Sequence, residues 1–473
     1  MKLAKQNRLS ATVLKAMSVF GGVQVVGILC SIIRTKLVAV WLGAAGMGIF
    51  ALYSSTIDMI SVFTRLELRN SAVRELASAG SRLGLICVVV RRWSWFLGIF
   101  GAILTIVLSP WLSEWTFGDR NHTIAYIILS VAVMLFSVTD GENAILQGTS
   151  MLKPLAKASM AGAIASIIVS IPLFYIWRID GIVPAILAYF IITTLSVFYY
   201  RRRPEKPKVQ VSTGDVLKEG KGFMLLGIYM TLSMFVGLFV SYAFMAYLNR
   251  TADTSMVGYY QAGYSLVNKY VGLIFAAIAM EYYPRLAQVI KSRQRTSIFV
   301  SHEIMLIMWI LIPVVALFIA SDDLLIKIFY TTEFNVIIPF ISVAIIGTML
   351  RAVSWCMSYV VLARGDGKTF LIVEAMSGVI GLILNIVFFE TFGMLGLGIA
   401  YILWYMVYAL ILYIVYRHNY GLTLGRGIMR LMIYAVAMGV ASVALSVCVG
   451  WWATAILGTV ALYFSARRLL RCR

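Results

Sequence analysis

Long apolar runs alternate with short polar segments along the whole chain. Fourteen of these runs have about the twenty residues that an α-helix needs to cross the hydrocarbon core of a bilayer. Because the runs are continuous rather than alternating, and because lipid cannot satisfy free backbone groups, they predict helices. The predicted spans are 12–40, 46–64, 83–109, 123–147, 155–176, 181–200, 222–248, 256–280, 300–320, 336–362, 370–389, 394–416, 429–447 and 450–466.

The last two runs are the weakest spans of the set. Only a short turn at Gly450 separates them, and Trp451 and Trp452 beside it are typical of an aromatic anchor at a membrane interface. The pattern therefore predicts an all-α polytopic membrane protein with fourteen spans, and twelve is the alternative.

The longest polar stretch, 201–221, lies near the middle of the chain, and it is basic and contains two prolines. It predicts a cytoplasmic linker between an N-terminal six-helix bundle over 1–200 and a C-terminal six-helix bundle over 222–416. Residues 417–473 would add a helical hairpin and a basic tail. The short loops argue against a membrane enzyme with a large catalytic domain outside the bilayer.

Composition explains where the charges belong. The 473 residues are 61% hydrophobic and 13% charged, and 40 Lys and Arg against 20 Asp and Glu give a net charge of +20. In soluble domains about a quarter of the residues are charged, which is about twice the fraction in this chain, so a soluble enzyme is excluded. With the amino terminus inside, 32 basic residues fall on inner segments and six on outer ones. This bias predicts cytoplasmic termini and an even number of spans, and it accounts for the basic residues without nucleic acid.

Known catalytic and cofactor motifs are missing from the sequence. The five cysteines have no CxxC spacing, and His122, His302 and His418 are far apart. No phosphate-binding GxxxxGK[ST] loop and no HExxH zinc motif occur. We therefore expect no metal centre, no cofactor and no built-in ATPase.

Polar residues recur at helical spacing inside several predicted spans. Ser54, Asp58, Ser61 and Arg65 share one helix face, and the same spacing marks spans eight, ten, eleven and, less regularly, one and four. Small and polar residues on one face often mark helix contacts. Ionisable groups at this depth are costlier and usually face a protein interior or a wet cavity. The interior candidates are the cations Arg34, Lys36, Arg65, Lys269 and Arg351 and the anions Asp58, Glu67, Asp140, Glu142 and Glu374.

Two interpretations stay open for the deep cations. Arg351 and Lys269 either pair with a buried carboxylate or hold an anion, while Arg34, Lys36 and Arg65 are also within reach of an interface by snorkelling. Three of the five anions fall near the inner third of the membrane. The middle and outer parts would then hold more cations than anions, which favours an anionic solute. Asn268 and Gln261 lie on the same helix as Lys269 and complete the candidate set.

Four segments carry a family resemblance. Lys36–Gly48 and Ile145–Gly148 lie in the first half, and Val257–Ala262 and Phe334–Ala363 lie in the second. In this order the segments resemble bacterial Wzx-type flippases for the lipid-linked O-antigen or enterobacterial common antigen. These belong to the multidrug/oligosaccharidyl-lipid/polysaccharide exporter superfamily. The resemblance covers roughly residues 10–416.

The resemblance implies two bundles around a central cavity that works by alternating access in the bacterial inner membrane. The implied substrate is an undecaprenyl-diphosphate-linked oligosaccharide, with membrane lipids and glycan polymerase machinery as further partners. Arg351 and Lys36 match basic positions of the family, whereas Lys269 and Asn268 depart from its pattern. The substrate-binding set is then Arg351, Lys269, Arg34, Lys36, Arg65, Asn268 and Gln261. A proton or sodium gradient would act through a set that comprises Asp58, Glu374, Asp140 and Glu142.

Other function classes remain as alternatives. A drug or organic-cation antiporter of the same superfamily would want an acidic or aromatic cavity. A membrane glycan polymerase or ligase would need a sizeable outer loop, and a scaffold without transport activity is the last alternative.

Overall fold

The computed structural model describes the backbone of residues 2–65, 68–201 and 213–471. Within these ranges the side chains of 2–25, 213–230 and a few single positions, Lys269 among them, lie outside the described part. Every regular element in the described ranges is a helix, and none of their residues forms a strand. The prediction of an all-α chain is confirmed.

Fourteen α-helices lie in the described ranges. They are α1 (Lys2–Arg65), α2 (Leu68–Ser78), α3 (Leu83–Phe117), α4 (Thr123–Gly148), α5 (Leu152–Trp177), α6 (Ile182–Arg201), α7 (Thr213–Thr251), α8 (Thr254–Val289), α9 (Arg293–Ala320), α10 (Asp322–Phe329), α11 (Ile338–Ala363), α12 (Gly367–His418), α13 (Arg426–Cys448) and α14 (Trp451–Arg471). Short 3-10 turns add Gly80–Arg82, Arg178–Gly181 and Thr332–Ile337.

Two of the longest helices are broken at a glycine. Gly43 in α1 has φ 66° and Gly393 in α12 has φ 59°, a region that glycine enters without the steric cost other residues meet. The two parts of α12 pack antiparallel, since Trp404 Nε1 donates to Ser377 Oγ at 2.9 Å. Each predicted apolar run therefore coincides with a helix or with one part of a broken helix.

Hydropathy alone gives a smaller count of spans. Nine helical stretches in the described ranges are long and apolar enough to cross a membrane, and a bent pair in α8 would make ten. Three of the nine contain a break, at Gly43, at the turn Arg178–Gly181 or at Gly393, and α14 is not among the nine. Large apolar side chains such as Val107 and Ile176 are exposed, as expected where lipid covers the surface. The choice between fourteen and twelve spans stays a prediction.

The chain divides into two compact units, and unit 1 is Met1–Gly258. Its α3 and α4 approach closely because small residues face each other. A Cβ added to Gly141 would lie 2.5 Å from the Cβ of Ser94, and Ser137 Oγ donates to the carbonyl of Ser94 at 3.0 Å. The short α2 is amphipathic, and it packs on α3 and α4 through Leu68 and Leu76.

Unit 2 is Tyr259–Arg473. In it α9 contacts α11, α13 and α14, and the two parts of α12 pack along α11. The segment between α12 and α13 is fastened to α9, because the backbone amides of Thr423 and Gly425 donate to Ser297 Oγ and Ser301 Oγ at 3.2 and 3.0 Å. Leu422 in this segment is fully buried.

The division into units falls after Gly258, whereas the sequence predicts a linker at 201–221. Residues 202–212 of that linker lie outside the described residues. Within unit 1, α7 contacts α1, α2 and α3. The predicted domain bounds stay a prediction.

Candidate functional site

A buried polar group in unit 2 surrounds Arg351 of α11. Asn268 Oδ1 of α8 accepts a hydrogen bond from Arg351 Nη1 and another, at 2.9 Å, from the hydroxyl of Tyr401 in α12. Asn268 Nδ2 donates to the carbonyl of Tyr264 at 3.1 Å. Because its oxygen and its amide nitrogen are both engaged, Asn268 orients the guanidinium. We call Arg351, Asn268, Tyr264, Tyr401 and Tyr405 the Arg351 site.

Aromatic rings fill the space around the Arg351 guanidinium. Its Cζ lies 5.4 Å from the ring centroid of Phe275 and 5.7 Å from that of Tyr405. These are cation–π distances. Among the described residues no carboxylate lies within 4.0 Å of Arg351, so its charge is balanced only by neutral dipoles and rings. Such a cation can take an anion.

Lys269 and Gln261 complete the predicted part of this region. The side chain of Lys269 lies outside the described residues, so its contacts stay open. Gln261 is half-buried on α8, two helical turns before Asn268. The structure therefore brings Arg351 and Asn268 together, as the candidate set requires, and adds three tyrosines that the sequence analysis did not single out.

Glu374 of α12 lies in unit 2 with hydroxyl partners. Tyr408 donates a hydrogen bond to its carboxylate, and Ser358 of α11 donates another at 3.4 Å. No cation is within ion-pair distance among the described residues. A carboxyl held by neutral donors in an apolar surrounding can exchange a proton, which is the chemistry predicted for it.

Unit 1 arranges its charges differently. Arg65, at the end of α1, pairs with Asp140 of α4 at 2.7 Å, and Arg69 of α2 reaches the other oxygen of Asp140 at 3.3 Å. The Arg65 guanidinium also lies 4.0 Å from the ring centroid of Phe136. A deep cation can pair with a carboxylate or hold an anion, and Arg65 pairs with a carboxylate.

Glu142, two residues further along α4, is held by two arginines. Arg91 of α3 contacts one carboxylate oxygen at 2.9 Å, and Arg201 at the end of α6 contacts the same oxygen at 2.5 Å. The Glu142 side chain is only 2% exposed. In the sequence, Arg91 and Arg201 are simply two of the 32 basic residues on inner segments, because no local spacing links three separate helices.

Arg34, Lys36 and Asp58 lie on the two parts of α1. The Arg34 guanidinium stacks 4.8 Å from the ring of Tyr189 and 5.8 Å from that of Phe50. Asp58 interacts electrostatically with both Arg65 and Arg34, and its side chain is exposed among buried neighbours. Lys36 is half-buried. Glu67 lies outside the described residues.

A hydroxyl network at the opposite end of unit 1 was not found from the sequence. Tyr53 OH and His122 Nδ1 are 2.6 Å apart, and His122 stacks on Phe117 at 3.7 Å between centroids. Burial lowers the pKa of His122, against the opposing charge of Asp119. Thr116 of α3 is bonded to Tyr242 of α7. His122 is therefore part of a packed layer. A single histidine with no nearby partner in the sequence gives no indication of such contacts.

Comparison with known proteins decides the family. A family model described as polysaccharide biosynthesis protein matches residues 41–339. The chain belongs to this family. A Shigella flexneri relative of this polysaccharide biosynthesis protein bears the name "Putative O-antigen transporter". It is 23% identical over 385 residues, which cover 78% of the chain and 90% of the relative.

Several solved structures share the fold of this chain. An inward closed lipid II flippase MurJ aligns with a TM-score of 0.66 at 14% identity, covering 97% of the chain and 99% of MurJ. An inward-facing MATE multidrug resistance transporter of the MOP superfamily also scores 0.66 at 14% identity, over 87% and 95% of the two chains. An outward-facing MATE structure scores 0.61 at 16% identity, over 90% and 96%. The expected family is therefore confirmed, and the fold is one that solved membrane transporters share.

Proposed function

We propose that this polysaccharide biosynthesis protein flips an undecaprenyl-diphosphate-linked oligosaccharide from the cytoplasmic to the periplasmic leaflet of the bacterial inner membrane. The name of the Shigella flexneri relative and the MurJ-like fold support a lipid-linked polar cargo. The excess of basic residues on inner segments supports the cytoplasmic termini and so the orientation of the protein in the membrane.

The Arg351 site carries this proposal. A diphosphate or an acidic sugar needs a cation that is already desolvated and oriented, since a charge inside the bilayer is otherwise costly. Arg351 offers a guanidinium fork held by Asn268, and no described carboxylate competes for it. The rings of Phe275 and Tyr405 stabilise the positive charge of the Arg351 guanidinium itself. Lys269 and Gln261 are the adjoining candidates on α8.

Unit 1 supports transport in a second way. Arg34 and Lys36 contribute cations on α1 and Asp58 moderates them, whereas Arg65 is already paired with Asp140. Turnover needs release as well as binding, so a partly neutralised surface suits a cargo that must leave. Alternating access between two states would then expose the cargo to each leaflet in turn.

Coupling to an ion gradient is the remaining part of the proposal. Asp58 and Glu374 are the better candidates, because neither is held by an arginine at ion-pair distance among the described residues. Asp140 and Glu142 each contact two arginines, so both carboxylates are already engaged in ion pairs that join helices.

Substitution of Arg351 tests the proposal directly. Arg351→Ala should lower surface glycan about tenfold or more, because a charge-assisted hydrogen bond is worth roughly 1.5–3 kcal/mol. Arg351→Lys should retain part of the activity, since it keeps the charge and loses the fork. Glycan is measured by immunoblot in a strain that lacks the native flippase, together with the level of inserted protein.

Arg120→Ala is the matched control, because Arg120 is an exposed arginine outside the membrane-spanning helices, with a side chain that is 74% exposed. Normal glycan in Arg351→Ala at an equal protein level would refute the role of the site. Resistance to cationic dyes on expression, without any effect on glycan, would favour the antiporter alternative.

A further inference from the structure

A groove of about 840 Å³ runs along the surface of unit 2 between α11, the second part of α12 and α13. Its floor is made by buried side chains of α11, including Leu350, Val353 and Met357. This volume lies within the range of pockets that hold a ligand of some tens of atoms. Among the described side chains that line it, Tyr413 alone carries a hydroxyl, and the others are apolar or glycine.

The rims of the groove are exposed. Met406 and Leu410 on α12 are 49% and 57% exposed, and Met429 and Ile433 on α13 are 63% and 64% exposed. Both rims belong to helical stretches apolar enough to span a membrane. The groove therefore opens sideways onto the surface that lipid covers, and an apolar chain can enter it from the bilayer.

The length of the groove matches one leaflet. On α12 it is lined from Ile402 to Tyr413 and on α13 from Ile428 to Ala437. At 1.5 Å per residue these distances are about 16 and 14 Å. The hydrocarbon core is about 30 Å thick, so the groove covers roughly half of it. An acyl chain of an ordinary phospholipid has this reach, whereas a long polyprenyl chain would extend beyond the groove.

One end of the groove carries two exposed arginines. Arg417 follows Tyr413, the last lining residue of α12, by four residues and so lies one turn beyond it on the same face. Arg430 follows Ile428, the first lining residue of α13, by two residues and lies beside the groove near the same end. Neither forms an ion pair with a described carboxylate. The segment Asn419–Gly425 closes this end, and its amides at Thr423 and Gly425 are already bonded to α9.

We propose that the groove binds an anionic phospholipid of the leaflet on this basic side, with an acyl chain in the groove and its phosphate at Arg417 and Arg430. Predicted topology makes this the cytoplasmic leaflet. Apolar burial holds the chain, and the two arginines select an anionic headgroup over a zwitterionic one. The site is separate from the proposed transport function and does not depend on it.

Lipid retention by the purified full-length protein tests the proposal. Native mass spectrometry would compare phosphatidylglycerol with phosphatidylethanolamine of identical acyl chains. We expect phosphatidylglycerol to bind more tightly, and R417Q/R430Q to weaken it by about tenfold or more while phosphatidylethanolamine changes little. R467Q/R468Q is the matched control, because this exposed basic pair near the end of α14 does not line the groove.

A second variant tests the groove itself. Ala437 is an exposed lining residue, so Ala437→Trp should fill the groove without disturbing the core and should remove both lipids at an unchanged melting temperature. Equal retention of the two lipids by the unchanged protein, or equal effects of R417Q/R430Q and R467Q/R468Q, would overturn the proposal. Displacement of phosphatidylglycerol by polyprenyl phosphate at stoichiometric amounts would assign the groove to the carrier lipid instead.

Discussion

The two units treat their buried arginines in opposite ways. In unit 1, Asp140 and Glu142 on α4 draw arginines from α1, α2, α3 and α6 into ion pairs. In unit 2, Arg351 is held by Asn268 and tyrosine neighbours, without a described carboxylate. The ion pairs join helices, whereas the Arg351 site keeps a positive charge available.

This difference separates two effects of mutation. Removing one partner of a buried ion pair leaves an uncompensated charge, which costs stability. Removing a cation that has only neutral partners relieves a desolvation cost, so stability should change little while function suffers. The substitutions below test whether the two units differ in this way.

The largest stability effect is expected at Glu142. Glu142→Gln leaves Arg91 and Arg201 without a carboxylate and should lower the free energy of unfolding by about 3 kcal/mol, discounted because both arginines are partly exposed. Thermal unfolding of the detergent-solubilised protein measures the loss. Glu114→Gln is the control, since that glutamate is 57% exposed and pairs with exposed Arg120.

Arg351→Gln supplies the contrast with Glu142→Gln. It should change the free energy of unfolding by less than about 1 kcal/mol, because the charge-assisted hydrogen bond to Asn268 is lost together with the desolvation cost of the buried guanidinium. A loss of stability equal to that of Glu142→Gln would show that the two units do not differ as described.

A double-mutant cycle on Arg65 and Asp140 should show a coupling energy of about 1–2 kcal/mol. The two side chains are 17% and 13% exposed, so water screens them only in part. Arg65→Gln, Asp140→Asn and the double variant are compared by thermal unfolding. A coupling no larger than that of Arg120 with Glu114, about 0–1 kcal/mol, would contradict a structural role for the pair.

Asn268→Asp would make unit 2 resemble unit 1. The new carboxylate should pair with Arg351, keep or raise the melting temperature and reduce glycan export about tenfold, because the guanidinium is then neutralised. Asn268→Ala controls for the loss of the amide alone. Full export by Asn268→Asp would show that the Arg351 charge is not what the cargo needs.

A further small effect on stability is expected at the turn between α11 and α12. Burial acts to raise the pKa of Asp366, but hydrogen bonds from Thr369 and Tyr420 and the charge of Lys368 outweigh it, and the pKa falls below the ordinary 3.8. A depressed pKa contributes stability above 3.8 that is lost as pH falls through the lower folded value. Tyr420→Phe should lower the free energy of unfolding by about 1 kcal/mol at pH 7 and weaken its dependence on pH, which is measured by unfolding between pH 2 and 6. An unchanged dependence on pH would show that Tyr420 does not stabilise the Asp366 carboxylate.

The length of the apolar runs was enough to predict the helices, because each span in lipid must satisfy its own backbone hydrogen bonds. The turn after Gly43 and the aromatic turn at Gly450 were visible as interruptions in those runs. Helical spacing of polar residues in span ten also placed Arg351 on a polar face of α11. These inferences are local, and local patterns are what a single sequence shows.

Partners that come from distant helices could not be predicted. Arg201 reaches Glu142 across 59 positions, and Tyr401 reaches Asn268 across 133. Glu142 even falls off the polar stripe of its own helix. The choice between an ion pair and a free cation depends on such contacts, so the sequence left both interpretations open for Arg351.

The break at Gly393 also has a consequence for biogenesis. The two parts of α12 meet through Ser377 and Trp404, and a single residue of positive φ turns the chain between them. With so short a turn, the pair should leave the translocon together as one hairpin. The hydroxyl and indole partners would then find each other before α13 is synthesised.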